Sequence, residues 1–164
     1  MALTMSPPSP SPADDGGHVP VLADEVVAAL EVVPPGTYVD LTLGHAGHAT
    51  RLLTAHPGLT LVGIDRDAEA LAIAREVLAP FGDRVRLHHA RSDQVAEVLA
   101  AEGVERVTAV LADLGVSSPQ VDQARRGFSY RDDLDGPLDM RMDQSQGPTA
   151  ADLLADIDED ALAR

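Results

Sequence analysis

Four short segments of the chain have strand character, and helical segments lie between them. The strands are expected at 37–41, 59–64, 85–88 and 107–112; the second and fourth are nearly continuous apolar runs, as parallel strands covered on both faces should be. A first helix is expected over 22–32, with Asp24 and Glu25 at its positive end and Pro34-Pro35-Gly36 as its stop. The second, 47–56, turns Ala49, Leu52 and Leu53 to one side. The third, 67–78, has Asp67 as its cap and Leu71, Ala74, Val77 and Leu78 at helical spacing, before Pro80 and Gly82. The fourth, 92–102, has Ser92 as its cap, Val95, Val98 and Leu99 inward, and Gly103 as its stop. Strands alternating with helices make βαβ units, hence an α/β fold with a parallel sheet and right-handed crossovers.

The flanks differ from this core. Residues 1–17, with Ser-Pro repeats and Asp14-Asp15-Gly16-Gly17, are too poor in apolar side chains to fold and read as a disordered tail. The folded domain is expected over 18–148. Within it, 114–143 has no clear period, and so long an irregular stretch in a compact domain is usually functional. Thr149 to Asp152 forms a capping box that opens a helix carrying Leu153, Leu154 and Ile157. Residues 149–164 read as the start of a further helical unit.

Composition narrows the class. The chain has 164 residues, of which 45% are hydrophobic and only 2% aromatic, so the core must be built from Leu, Val, Ile and Ala. No segment approaches a membrane span and residues 1–17 lack a signal-peptide pattern, which gives an expectation of a cytoplasmic protein. With no cysteine there is no disulfide or thiolate metal site. Twelve basic against 27 acidic residues leave a formal charge of −15, which argues against phosphate binding by broad charge neutralisation.

Candidate chemistry begins at the first strand. Asp40-Leu41-Thr42-Leu43-Gly44-His45-Ala46-Gly47-His48 reads as a strand end, a tight turn and a helix start, and Asp65 closes the next strand. This is how an open α/β sheet holds an adenosine: the turn lets the backbone approach and the acid accepts ribose hydroxyls. Each bond to such a charged acceptor is worth about 1.5–3 kcal/mol. A dinucleotide fingerprint needs Gly-x-Gly, and Ala46 stands at the second glycine, where a pyrophosphate would be approached. A cofactor without pyrophosphate, S-adenosylmethionine, fits better than NAD. Glycines serving chain geometry alone remain the bland alternative.

Asp113-Leu114-Gly115-Val116-Ser117-Ser118-Pro119-Gln120 follows the fourth strand, where ligands of open sheets bind. Arg126-Gly127-Phe128-Ser129-Tyr130 and Gly136-Pro137-Leu138-Asp139-Met140-Arg141-Met142-Asp143 come next. Together with Asp40-x-Thr42-x-Gly44-x-x-Gly47-His48 and Ile64-Asp65-Arg66-Asp67, these stretches strongly resemble the ribosomal RNA small subunit methyltransferase H family. The resemblance runs from His18 to the end of the chain. It implies a Rossmann-like class I methyltransferase sheet, truncated after strand four and the start of a helical insertion. It also implies S-adenosylmethionine as cofactor, and methylation of N4 of a cytidine in the decoding region of 16S rRNA within the small ribosomal subunit.

Residue by residue, the resemblance puts Ala46, Gly47 and His48 against the methionine part of the cofactor and Asp65 on the ribose. It puts Arg91 where an aromatic often lines the cofactor, and Asp113 and Gln120 beside the transferring methyl. Two departures stand out: Ala46 replaces a glycine and Arg91 replaces the aromatic. The added methyl is tolerable at negative φ and costly at positive φ, while Arg can stack on adenine. Asp113 is expected to orient the amine, unless it only caps its loop.

Other residues have ordinary readings. His45 and His48 lack a third metal ligand, and Ser117 and Ser118 lack a nucleophile context. Met140 and Met142 read as packing residues. Arg125, Arg126, Arg131 and Arg141 could touch RNA phosphate or pair with Asp132, Asp133 or Asp139. Three functional readings stand: a methyltransferase, a non-enzymatic fragment of one with weak or no cofactor binding, and, disfavoured by Ala46, a dinucleotide-dependent dehydrogenase.

Overall fold

The computed structural model of the chain describes residues 20–163; the tail expected over 1–17 lies outside the described residues. Four parallel strands, β1 (Gly36–Asp40), β2 (Leu59–Asp65), β3 (Val85–His89) and β4 (Ala109–Leu111), form one sheet in the order β3-β2-β1-β4. Tyr38 sits opposite Leu61 on one side and Ala109 on the other, and Val39 likewise between Val62 and Val110. Successive residues therefore face opposite sides of the sheet.

One face carries α1 (Ala23–Leu30), α2 (Gly47–Ala55) and α3 (Ala68–Leu78). Tyr38, Leu59 and Leu61 pack there with Leu52 and Leu53 of α2 and Leu71, Ala74 and Leu78 of α3. The other face holds Val39, Val62 and Ile64 under α4 (Val95–Ala101), whose one buried residue is Val98. Because β1, β2 and β3 run outward in order while β4 returns to the far side of β1, the crossover direction reverses between β1 and β4. That reversal opens a crevice at the carboxyl ends of the strands.

Several local expectations shift for identifiable reasons. Val77 points outward, because Leu71, Ala74 and Leu78 alone form the stripe aimed at the sheet. Ser92 does not cap α4; a 3-10 turn over Ser92–Gln94 precedes the helix, and the Gln94 side chain accepts the Arg91 N–H at 2.9 Å. β4 is shorter than 107–112, since only β1 pairs with it among the described residues; Thr108 N–H to Thr37 O at 2.7 Å and Leu41 N–H to Leu111 O at 2.9 Å extend the contact without further ladder.

The Asp67 cap forms as expected, accepting from the N–H groups of Glu69 and Ala70. The Thr149–Asp152 box opens α6 (Ala150–Asp156), which is followed by α7 (Glu159–Leu162). Leu153, Leu154 and Ile157 are exposed and no residue of either helix is buried. Between β4 and α6 the chain is irregular apart from α5 (Ser118–Asp122) and two 3-10 turns. No helix among the described residues is long and apolar enough to cross a membrane.

Candidate functional site

The crevice at the β1–β4 reversal is a broad open cleft. Its walls include Thr42 and Gly44 after β1, Gly47 and His48 of α2, Asp65 at the end of β2, and the Asp113–Gln120 segment after β4. The carboxylate of Asp65 holds two turns at once: Oδ2 accepts the Gly44 N–H at 2.7 Å and Oδ1 accepts the Asp67 N–H at 2.8 Å. Each oxygen has a second lone pair free for a further donor. A Cβ at Gly44, where φ is +53°, would meet only Thr42 O at 3.9 Å, so the turn leaves open space in front of this acid.

Ala46 falls on the costly branch of the expectation, but not at the expense of the ligand. Its φ is +64°, the left-handed region that favours glycine, yet its methyl is fully buried in the core beneath the turn and is absent from the cleft wall. The departure therefore costs conformational energy without taking ligand space. Left-handed strain of about 1–2 kcal/mol is partly offset by the buried methyl, worth about 0.8 kcal/mol, and by the lower unfolded-state freedom of Ala. Ala46→Gly is expected to change stability by less than about 1 kcal/mol and cofactor affinity by less than about threefold. Thermal unfolding and a binding titration check it, and a tenfold tighter variant would show that the methyl does obstruct the ligand. Gly47 has its own requirement: a Cβ there would lie 2.5 Å from Cγ of Pro20.

His48 lies on the first turn of α2 with its side chain 10% exposed, and its Nε2 is 3.8 Å from Oδ2 of Asp113. Burial lowers its pKa below the usual value while Asp113 pulls the other way, so the neutral ring is favoured. Its Nδ1 is buried without a hydrogen-bond partner. Asp113 donates its N–H to Thr42 Oγ1 at 2.7 Å, which ties the end of β4 to the end of β1. Its carboxylate is 53% exposed. The capping reading of Asp113 fails: among the described residues its carboxylate accepts no hydrogen bond and stands in the cleft.

Asp40 lies beneath these groups, buried, accepting the Tyr38 hydroxyl at 2.8 Å and the Thr42 N–H at 3.1 Å. Burial pushes its carboxyl up to about 6, the two hydrogen bonds oppose the rise, and the charges of Asp65 and Asp113 add to it. Burial, with the Asp40 charge beside it, also raises the Tyr38 hydroxyl. An acid raised in the fold opposes folding where it is ionised: the penalty is full above about pH 6 and disappears below the ordinary value of 3.8. Asp40→Asn keeps an acceptor for Thr42 and is expected to stabilise the chain by about 1–3 kcal/mol at pH 7.5, the gain shrinking toward pH 4. Parallel melts of both proteins across that range measure it, and a gain independent of pH would contradict the assignment.

The other two expected site residues are engaged with protein partners. Arg91 is not in the cleft wall, and its guanidinium grips Asp93 at 2.8 Å and 3.0 Å. Gln120 reaches the cleft but is buried with both ends of its amide engaged: Oε1 accepts the Ser117 N–H and Nε2 donates to Asp67, each at 3.0 Å. The four arginines of the irregular segment are all paired with carboxylates: Arg125 with Glu69, Arg126 with Asp67, Arg131 with Asp133 and Arg141 with Asp139. Met140 is exposed at φ +57° and Met142 is half-buried at the cleft, so only the second fits a packing role. Thr42, Asp67 and Arg126 stand in the quoted motifs, but their contacts at the site are not among the expected roles. An Asp-x-Thr at a strand end is a weak local signal for the first, and nothing local announces the pairing of the other two.

The family model described as the MraW methylase family matches residues 15–164. A ribosomal RNA small subunit methyltransferase H from Nocardia farcinica is 52% identical over 153 residues, covering 90% of this chain and 47% of that relative. The protein of the same description from Thermobifida fusca is 52% identical over 149 residues, covering 89% of this chain and 43% of the relative. That from Sorangium cellulosum is 49% identical over 161 residues, covering 98% and 50%. The chain spans about half the length of the curated relatives it matches.

Proposed function

Because this chain belongs to the MraW methylase family, we propose that it binds S-adenosylmethionine in the β1–β4 cleft and methylates N4 of a cytidine in the decoding region of 16S rRNA. The observation that carries the reading is the Asp65–Gly44 arrangement: an acid with free lone pairs beside an open turn, facing a half-exposed Asp113 across the reversal point of the sheet. The donor set suits the cofactor. Asp65 would accept the ribose hydroxyls, and the Ala46–His48 turn at the start of α2 would face the methionine part. Ala46 takes part by its backbone alone, since its methyl is turned into the core.

When bound, the cofactor supplies a methyl group on positively charged sulfur. The chain's part is then placement, which can supply much of the rate of such a transfer. Asp113, whose half-exposed carboxylate accepts no hydrogen bond among the described residues, would accept an N–H of the cytosine amine and aim the nitrogen lone pair at the methyl. The base must arrive unstacked from RNA. Arg91 and Gln120 are left out of direct contact in this reading, given their engagement with Asp93, Ser117 and Asp67. Residues 18–148 act as the cofactor unit and 149–164 as the start of a helical unit.

A second reading, cofactor binding without methylation, is favoured by the single neighbour of the short β4 among the described residues. Calorimetric titration with S-adenosylmethionine and with NAD, followed by labelled-methyl transfer to small-subunit RNA, separates the readings. Binding of the first ligand alone is expected. Binding of NAD instead would overturn the cofactor, and binding without transfer would favour the second reading.

A further inference from the structure

The start of α3 and a segment some fifty residues further on, through Gln120 and Arg126, converge on one buried carboxylate, that of Asp67. Its Oδ1 caps α3, receiving Glu69 N–H at 3.0 Å and Ala70 N–H at 3.5 Å. Its Oδ2 receives Gln120 Nε2 at 3.0 Å and Arg126 Nη2 at 2.8 Å. Arg126, 3% exposed, reaches on to Met142 O at 3.0 Å, and its own carbonyl accepts the Met140 N–H at 3.0 Å. Gln120 passes the constraint to Ser117. Burial works against the charge of Asp67, but the bonds from Arg126 and Gln120 and the Arg126 charge outweigh it, so the carboxyl titrates below its ordinary range.

A buried ion pair is a poor source of stability compared with apolar packing of the same volume, and its best-attested use is to fix one arrangement among several. The arrangement at stake here is that of the irregular segment between β4 and α6. Its apolar side chains do little to hold it: Leu114, Val116, Leu138 and Met140 are all exposed. Asp67 is also joined to the other wall of the cleft, since its N–H donates to the same Asp65 carboxylate that holds Gly44. One short run of bonds thus links Gly44, Asp65, Asp67, Gln120 and Ser117.

We propose that Asp67 and Arg126 are positioning residues that, by holding Gln120 and the segment around it, set the Asp113–Gln120 wall of the cleft against the Asp65 wall, so that cofactor affinity depends on a buried ion pair that does not itself line the cleft. The inference rests on the cofactor reading above. Its test uses the full chain carrying Asp67→Asn with Arg126→Met, which removes both charges together and keeps a helix cap, and separately Arg126→Lys, which keeps a cation beside Asp67 but loses the guanidinium that also reaches Met142 O. S-adenosylmethionine affinity is measured by calorimetry well below each melting temperature, and trypsin cleavage after Arg131 and Arg141 is followed with and without the ligand.

Both variants are expected to bind about tenfold more weakly or worse and to be cut about tenfold faster, with ligand slowing cleavage of the wild type. A purely structural role would lower the melting temperature and leave affinity of the folded protein unchanged. Affinity within about twofold of wild type, or cleavage no faster than wild type, overturns the inference. If the double variant shows no cooperative melt, Arg126→Lys decides alone. Failure of the wild type itself to bind would overturn the cofactor reading and this inference with it, whereas normal wild-type binding with unaffected variants overturns the inference only.

Discussion

Asp65→Ala is expected to lower S-adenosylmethionine affinity by a factor of about 100 or more. Two ribose hydroxyls donating to one carboxylate are worth about 1.5–3 kcal/mol each, and about 1.4 kcal/mol is a factor of ten. The substitution also releases the Gly44 and Asp67 N–H groups, both of which the acid holds at under 3 Å. Loss of the turn adds to loss of the ligand contact, so the effect exceeds the two bonds taken alone. Asp65→Asn keeps one acceptor oxygen and should fall between Ala and the wild type. Calorimetric titration of the three proteins gives the ranking. An Ala variant within about threefold of wild type would remove Asp65 from the site, since even one charged bond is worth more.

Arg126→Met is expected to destabilise the chain by about 3–5 kcal/mol, because it leaves the Asp67 carboxylate buried without its cation. The side chain lost is nearly matched in length and apolar volume, so the cost comes from the orphaned charge. Adding Asp67→Asn should recover most of it, since the pair removed together leaves no buried charge. Chemical denaturation of the two single variants and the double variant forms the cycle. Additive costs would mean that Arg126 contributes chiefly through its bonds to Met142 and Met140. Of the pairs in the irregular segment, Arg131–Asp133 is solvated on both sides and should contribute little when broken.

The strands and helices were legible because each writes its burial into local sequence. β2 is apolar over most of its length since both its faces are covered, and Leu71, Ala74 and Leu78 recur as the buried stripe of α3. The Asp67 and Thr149 caps were legible for the same reason, their partners being two or three residues away. Val77 misled because it shares apolar character with the stripe but not its direction. Ser92 misled because Gln94 competes for the same turn.

At the site, the Asp65 turn could be anticipated from its spacing, whereas the sign of φ at Ala46 and the inward direction of its methyl depend on how the turn packs on Leu43, Ala49 and their neighbours. Arg91 found a carboxylate two residues away, a local pairing that a family-based placement does not see. The Asp67–Arg126 pair joins two elements far apart in the chain and had no local signature; the carboxylates offered by proximity, at 133 and 139, pair with Arg131 and Arg141 instead.

The single-sided pairing of β4 bears on how the molecule breathes. β1 is hydrogen-bonded on both flanks and lies at the centre of both apolar clusters, while β4 holds a three-residue ladder to β1 alone among the described residues and leaves Val110 55% exposed. Segments with few buried contacts open locally at a small fraction of the global unfolding free energy. The Asp65 side of the cleft therefore rests on a strand paired on both flanks, and the Asp113 side on a short edge strand. Amide exchange is expected to be faster in β4 than in β1 or β2, the two strands paired on both flanks.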